Sequence, residues 1–109
     1  MATTLKVLAQ NSPGAATLTT LYTVPAATSA VCSSIVVCNR SSVSTSFRIA
    51  VRPAGAAIYD QHYIYYSVTI SGNDTFIATI GISLATTDVL SVYATLATLS
   101  FSVYGQENT

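Results

Sequence analysis

Apolar and polar residues alternate with a period of two along most of this chain, the pattern of strands that lay one face on a core. The cleanest run is Thr45 to Arg52. There Phe47, Ile49 and Val51 fall on one side, and Ser46, Arg48, Ala50 and Arg52 on the other. Thr98 to Tyr104 repeats it, with Leu99, Phe101 and Val103 against Ser100, Ser102 and Tyr104. Between His62 and Ile70, the residues Ile64, Tyr66, Val68 and Ile70 stand opposite Tyr63, Tyr65, Ser67 and Thr69. Thr75 to Ile82 places Phe76, Ala78, Ile80 and Ile82 on one side. Four further runs, Leu5 to Gln10, Thr17 to Val24, Ala30 to Cys38 and Val89 to Ala94, bring the predicted strands to eight.

Turn-forming residues punctuate these runs at Asn11-Ser12-Pro13-Gly14, Pro25, Asn39-Arg40-Ser41-Ser42, Pro53-Ala54-Gly55-Ala56 and Ser71-Gly72-Asn73-Asp74. No window carries a persuasive helical stripe. Leu84 to Ala97 is richest in Ala and Leu, but Thr86, Thr87, Val89, Val92 and Thr95 oppose a long helix. About eight short antiparallel strands in 109 residues suit a two-sheet, jelly-roll-like β-sandwich, with a barrel as the next choice. The expectation is an all-β chain with a single domain over residues 1–109. Segments 1–13 and 105–109 are expected to be extended arms able to order on a partner.

Composition changes this picture in one respect. Charged residues make up 7% of the chain and hydrophobic ones 50%, against roughly 25% charge in an ordinary soluble domain. The formal net charge is zero. Such a chain has little to oppose self-association, so copies of itself or another protein are expected to cover much of its surface, although Ser and Thr can also solvate a surface without charge. Lys6, Arg40, Arg48 and Arg52 are too few for an electrostatic grip on a nucleic-acid backbone. The first residues lack the long apolar run of a secretory leader, and Val24 to Val37 is too interrupted to span a membrane. The chain is therefore read as made in the cytoplasm, with no membrane and no direct nucleic-acid partner. Cys32 and Cys38 on one extended strand would lie about 20 Å apart, too far to bond, and would share a face turned to the core.

Candidate chemistry is sparse. The one histidine, His62, stands two residues from Asp60, a pairing that acid–base work or a triad could use, but no nucleophile is singled out. The expectation is a protein without catalytic residues, cofactor or metal site. Isolated glycines carry no phosphate-loop or dinucleotide fingerprint. The notable cluster is aromatic: Tyr59, Tyr63, Tyr65 and Tyr66, joined by Tyr93 and Tyr104. Tyr suits interfaces because its ring buries area while its hydroxyl stays hydrogen-bonded. A subunit interface built from Tyr59, Tyr63, Tyr65, Tyr66 and Tyr104 is the leading reading, with Arg48 and Arg52 reaching carboxylates on a neighbour. Ordinary sheet surface and a glycan platform on the Tyr63/Tyr65 face are the alternatives.

Nearly the whole chain resembles a group of small virion proteins of tailed bacteriophages, notably cyanophages. The residues that carry the likeness are Met1-Ala2-Thr3-Thr4-Leu5-Lys6-Val7-Leu8, Leu21-Tyr22-Thr23-Val24-Pro25-Ala26 and Val36-Val37-Cys38-Asn39-Arg40. Tyr65-Tyr66, Gly72-Asn73-Asp74-Thr75-Phe76 and Leu99-Ser100-Phe101-Ser102-Val103-Tyr104-Gly105 add to it. The resemblance implies a non-enzymatic particle component. It would be a capsid cement or decoration protein that binds across major capsid protein subunits and stabilises the head, a homo-oligomer with the trimer as the expected form. A tail or fibre-attachment adaptor and, from a different class, a carbohydrate-binding module are the alternatives. The implied location is the virion, on the capsid surface before the tail.

Overall fold

The computed structural model describes residues 2–109. Among these residues nine strands are formed: β1 Thr3–Asn11, β2 Thr19–Thr23, β3 Ser29–Asn39, β4 Thr45–Arg52, β5 Tyr63–Ile70, β6 Thr75–Ala78, β7 Ile82–Leu84, β8 Val89–Ala94 and β9 Leu99–Asn108. They make two antiparallel sheets. The larger runs β1-β9-β3-β6, with β7 also paired to β3, and the smaller runs β2-β8-β4-β5. The sheets face each other as a sandwich around one apolar cluster, whose fully buried members include Ile35, Val37, Phe47, Ile49, Leu90, Val92, Leu99 and Phe101. This is the all-β, two-sheet arrangement expected of half-apolar strands, which must cover one another.

Three differences from the expected layout have physical causes. The run Thr75 to Ile82 is two strands, interrupted at residues 79–81 where Gly81 takes a φ of +62°, and Ile80 is left 49% exposed. Within the segments expected as arms, 1–13 and 105–109, Thr3–Asn11 and the end of β9 through Asn108 are strand. Thr3 pairs with Asn108 and Lys6 with Gly105, and Ala2 and Thr109 exchange backbone hydrogen bonds of 2.9 and 2.8 Å, Met1 lying outside the described residues. The third difference is the parity of β3. A bulge at Ser33 shifts its register against β9 between Cys32 and Ser34, so Ala30 and Cys32 point inward before it, and Ile35, Val37 and Asn39 after it. Cys38 is therefore turned outward and half-buried, not core-facing. An extra residue on one strand reverses every later side chain, because the side-chain period is two. Cys32 stays in the core, where burial pushes its thiol up to about 11 and keeps it protonated.

One end of the sandwich is tied across the sheets by a polar network. The Tyr22 hydroxyl on β2 donates to Glu107 Oε2 on β9 at 2.5 Å, and Lys6 Nζ on β1 donates to Glu107 Oε1 at 3.2 Å. The Tyr22 bond holds the Glu107 carboxyl below its ordinary range, and burial together with the same bond raises the Tyr22 phenol. Lowering a carboxyl's pKa on folding adds stability above its unfolded value, lost as pH falls through the folded value. Raising a phenol's adds stability below its unfolded value, lost as pH rises through the folded one. Tyr22→Phe is therefore expected to cost about 1 kcal/mol near neutrality. The gap from wild type closes below the ordinary carboxylate value of 4.5 and again above the ordinary phenol value of 10.0. Urea midpoints of both proteins across pH check this; a gap independent of pH would mean that the phenol–carboxylate bond contributes nothing.

Candidate functional site

The outer face of the smaller sheet carries most of the predicted aromatic cluster. Arg48 points outward from β4 and lies directly opposite Tyr93 on β8. Its guanidinium sits between two rings, 4.3 Å from the Tyr66 centroid and 4.5 Å from that of Tyr93. Nε donates to Ser67 Oγ at 3.2 Å. The register of β5 makes this possible. One residue of β4 separates Phe47 from Ile49, but two of β5 separate their partners Val68 and Tyr65. Within that bulge Ser67 adopts a φ of +51°, and Tyr66 swings out over Arg48. A guanidinium held against an aromatic face gains about 0.5–2 kcal/mol per contact, depending on its desolvation, so Tyr66 is held in place while remaining 60% exposed.

A second irregularity, between Ile49 and Ala50, pairs Ala50 with Tyr63 and leaves Ile64 exposed as the extra residue. Tyr63 thereby joins the outer face. Its ring meets that of Tyr66 edge to face, with centroids 5.0 Å apart and planes at 84°. Asp60, Tyr63 and Tyr66 line a shallow cleft of about 390 Å³. Among the described residues the ion pair formed is Lys6–Glu107, so the Asp60 carboxylate has no cation against it. Tyr59, 62% exposed, stands at the start of the same turn. His62 fixes that turn: its Nδ1 accepts the Tyr59 backbone N–H at 3.1 Å, and the His62 backbone N–H donates to the Tyr59 carbonyl at 3.0 Å. An Nδ1 that accepts is unprotonated, so the imidazole serves the backbone of its own turn.

The predicted interface residues thus divide. Tyr59, Tyr63, Tyr66 and Arg48 come together. Tyr65 turns inward, with its ring 5.3 Å from that of Phe76, so Tyr63 and Tyr65 share no face and the platform expected from that pair is not formed. Arg52 is spent inside the chain. Its guanidinium donates to Ser91 Oγ at 3.0 Å, the Ala56 carbonyl at 3.1 Å and Thr20 Oγ1 at 3.4 Å, which holds the β4–β5 connection over β8 and buries Ala50 and Ser91. Arg48 too is engaged by its own chain, through Nε and the faces of its guanidinium. Tyr104 lies on the larger sheet, paired with Val7 and Ser34. Two contributors were not anticipated in these roles. Tyr93 becomes one wall of the Arg48 stack only because β8 lies beside β4, and Asp60 becomes a lining group only through the fold of its turn.

Among the described residues no three His, Cys, Asp or Glu side chains converge as metal ligands. What the face offers is preordered aromatic surface beside a lone carboxylate. No family model, no curated protein and no solved structure matches the chain.

Proposed function

We propose that the chain is a structural subunit that docks on a larger particle through Tyr59, Tyr63 and Tyr66, in the manner of a capsid cement or decoration protein bound across major capsid subunits. The observation that carries this reading is the exposed Tyr66 ring pinned by Arg48 and Tyr93. Tyr is among the residues that dominate binding hot spots, and a side chain already fixed in place loses little further entropy on docking. The scarcity of charge supports it too, since charge is depleted at interface cores. The virion likeness of the sequence supplies the particle. A tail or fibre-base adaptor would use the same face in fewer copies.

A second reading draws on the Asp60 carboxylate beside the exposed Tyr66 ring, because a carboxylate and an aromatic face together suit a sugar. One set of experiments separates the three. Calibrated mass spectrometry of purified virions is expected to find the chain in copy numbers comparable with the major capsid protein, and a few dozen copies would move it to the tail. Tyr66→Ala is expected to weaken rebinding to particles that lack the chain by roughly 30-fold, the loss of one hot-spot side chain. Absence from virions, with glycan affinity that Tyr66→Ala abolishes, would replace this reading with the carbohydrate one.

A further inference from the structure

Among the described residues, the strands of the larger sheet carry no charged side chain on their outer face. The outward positions of β1, β9, β3, β6 and β7 follow from their register. Leu5 and Val7 on β1, Tyr104 on β9, Val36 on β3 and Ile77 on β6 all point away from the core, and Ile80 stands out at the β6–β7 break. Every other outward side chain on these strands is Val, Ser, Thr, Asn, Gln or Cys. Lys6 and Glu107 lie on the inward side and pair with each other, and Arg40, exposed one residue past β3 at the rim of the face, donates to Ser12 Oγ and the Ala97 carbonyl. Exposure is high where it matters: 78% for Leu5, 63% for Ile77, 49% for Ile80, 46% for Val7 and 37% for Tyr104.

We infer that this face is where a second copy of the chain packs, sheet against sheet about a two-fold axis. Three arguments favour a copy of itself as the occupant. A two-fold contact brings one patch against the same patch, so a charge near the axis meets its own sign. This face escapes that penalty and is compatible with itself. A charged partner, by contrast, would find nothing within the strands to pair with.

Size is the second argument. Four strand widths of about 4.8 Å by ten residues of about 3.3 Å give a flat area on the order of 600 Å². The accessible area of a corrugated sheet is larger, which brings it near the roughly 800 Å² per partner of a stable interface. Shape is the third, since sheets stack face to face at about 10 Å, the mode already used inside this fold. A self-matching face closes as a dimer, whereas the trimer implied by the virion likeness needs two different matching patches. The aromatic face on the opposite sheet stays free in such a dimer, so the inference is independent of particle docking.

The test uses the purified full-length chain alone. Sedimentation equilibrium across the micromolar range is expected to give twice the chain mass. Ile77→Asp and Tyr104→Asp are each expected to weaken the dimer about a hundredfold or more, because like charges are then buried against one another. Val43→Asp, which adds a charge on the exposed β3–β4 loop, leaves it unchanged. An Ile77→Asp/Tyr104→Asp variant mixed with an Ile77→Lys/Tyr104→Lys variant is expected to reassociate as a heterodimer, and more weakly at high salt. That result excludes misfolding as the cause of the loss. A wild-type chain that is monomeric or of any other stoichiometry overturns the inference. So does a dimer that survives both Asp substitutions, or a mixture that fails to reassociate. Loss of particle docking with the dimer intact would count against the proposed function alone.

Discussion

Gly105→Ala is expected to cost the protein most of its stability. Gly105 lies inside β9, opposite Cys32 of β3, where β3 bulges at Ser33. A Cβ built on Gly105 would land on the Val31 carbonyl oxygen and crowd the Cys32 backbone. Both obstacles are main chain of the central strand, so no side chain can rotate aside, and relief requires β9 to pull away from β3. Overpacking that side chains can absorb costs typically about 1–3 kcal/mol. A backbone clash between two interior strands belongs above that range, against a total of about 5–15 kcal/mol for a domain. A Tm lower by more than about 10 °C is the expected reading. Gly14→Ala supplies the control, because a Cβ there meets nothing within 4 Å, and its change should stay within about 0.5 kcal/mol. Should the two alanine variants melt together, β9 does not continue past Tyr104 as described.

The same glycine marks where local reading stops. Alternation reveals β4 and the first half of β9, because Phe47/Ile49 and Leu99/Phe101/Val103 are inward residues separated by polar ones. Beyond Tyr104 the residues Gln106, Glu107 and Asn108 are all polar and read as a tail. They are held in the sheet by partners far away in sequence: Thr3 Oγ1 donates to Asn108 Oδ1, and Lys6 and Tyr22 reach Glu107. Polarity at the end of a strand carries no local sign of what will pair with it.

Bulges are the second obstacle, and the one that decides the site. At Leu21 a register shift between Thr20 and Tyr22 buries two successive residues, and at Ser33 another turns Cys38 outward. In β5 two shifts deal out the tyrosines so that Tyr63 and Tyr66 face solvent and Tyr65 joins the core. One extra residue leaves no trace in composition, yet it exchanges the faces of everything after it. Arg48 was legible as an outward residue because β4 has no such shift against β8. Its partners were not, since Tyr93 becomes a neighbour only through the β4–β8 pairing and Tyr66 only through the bulge.

Phe47→Ala is expected to be the other severe substitution, and it tests whether the two sheets share one core. Phe47 is fully buried on the inner face of β4, in the smaller sheet. Its ring lies 5.1 Å from that of Phe76 on β6 and 6.2 Å from that of Phe101 on β9, both in the larger sheet. Phe76 in turn meets Tyr65 at 5.3 Å, back in the smaller sheet. The rings thus cross the sandwich, with Phe47 and Phe76 each in contact with two others. Truncation leaves a void that rigid strands on both sides cannot close, at a cost of about 3–5 kcal/mol. Urea denaturation followed by far-UV circular dichroism gives the loss as a lower midpoint at unchanged slope. Phe47→Leu, which keeps most of the volume, should lose markedly less. The effect reaches the outer face, because Arg48 is the next residue and its stack with Tyr66 and Tyr93 needs β4 fixed against β5 and β8. Amide exchange in β5 should therefore quicken in Phe47→Ala more than in β1, which pairs with β9 and not with β4. A loss below about 1 kcal/mol would mean that the two sheets do not meet through these rings.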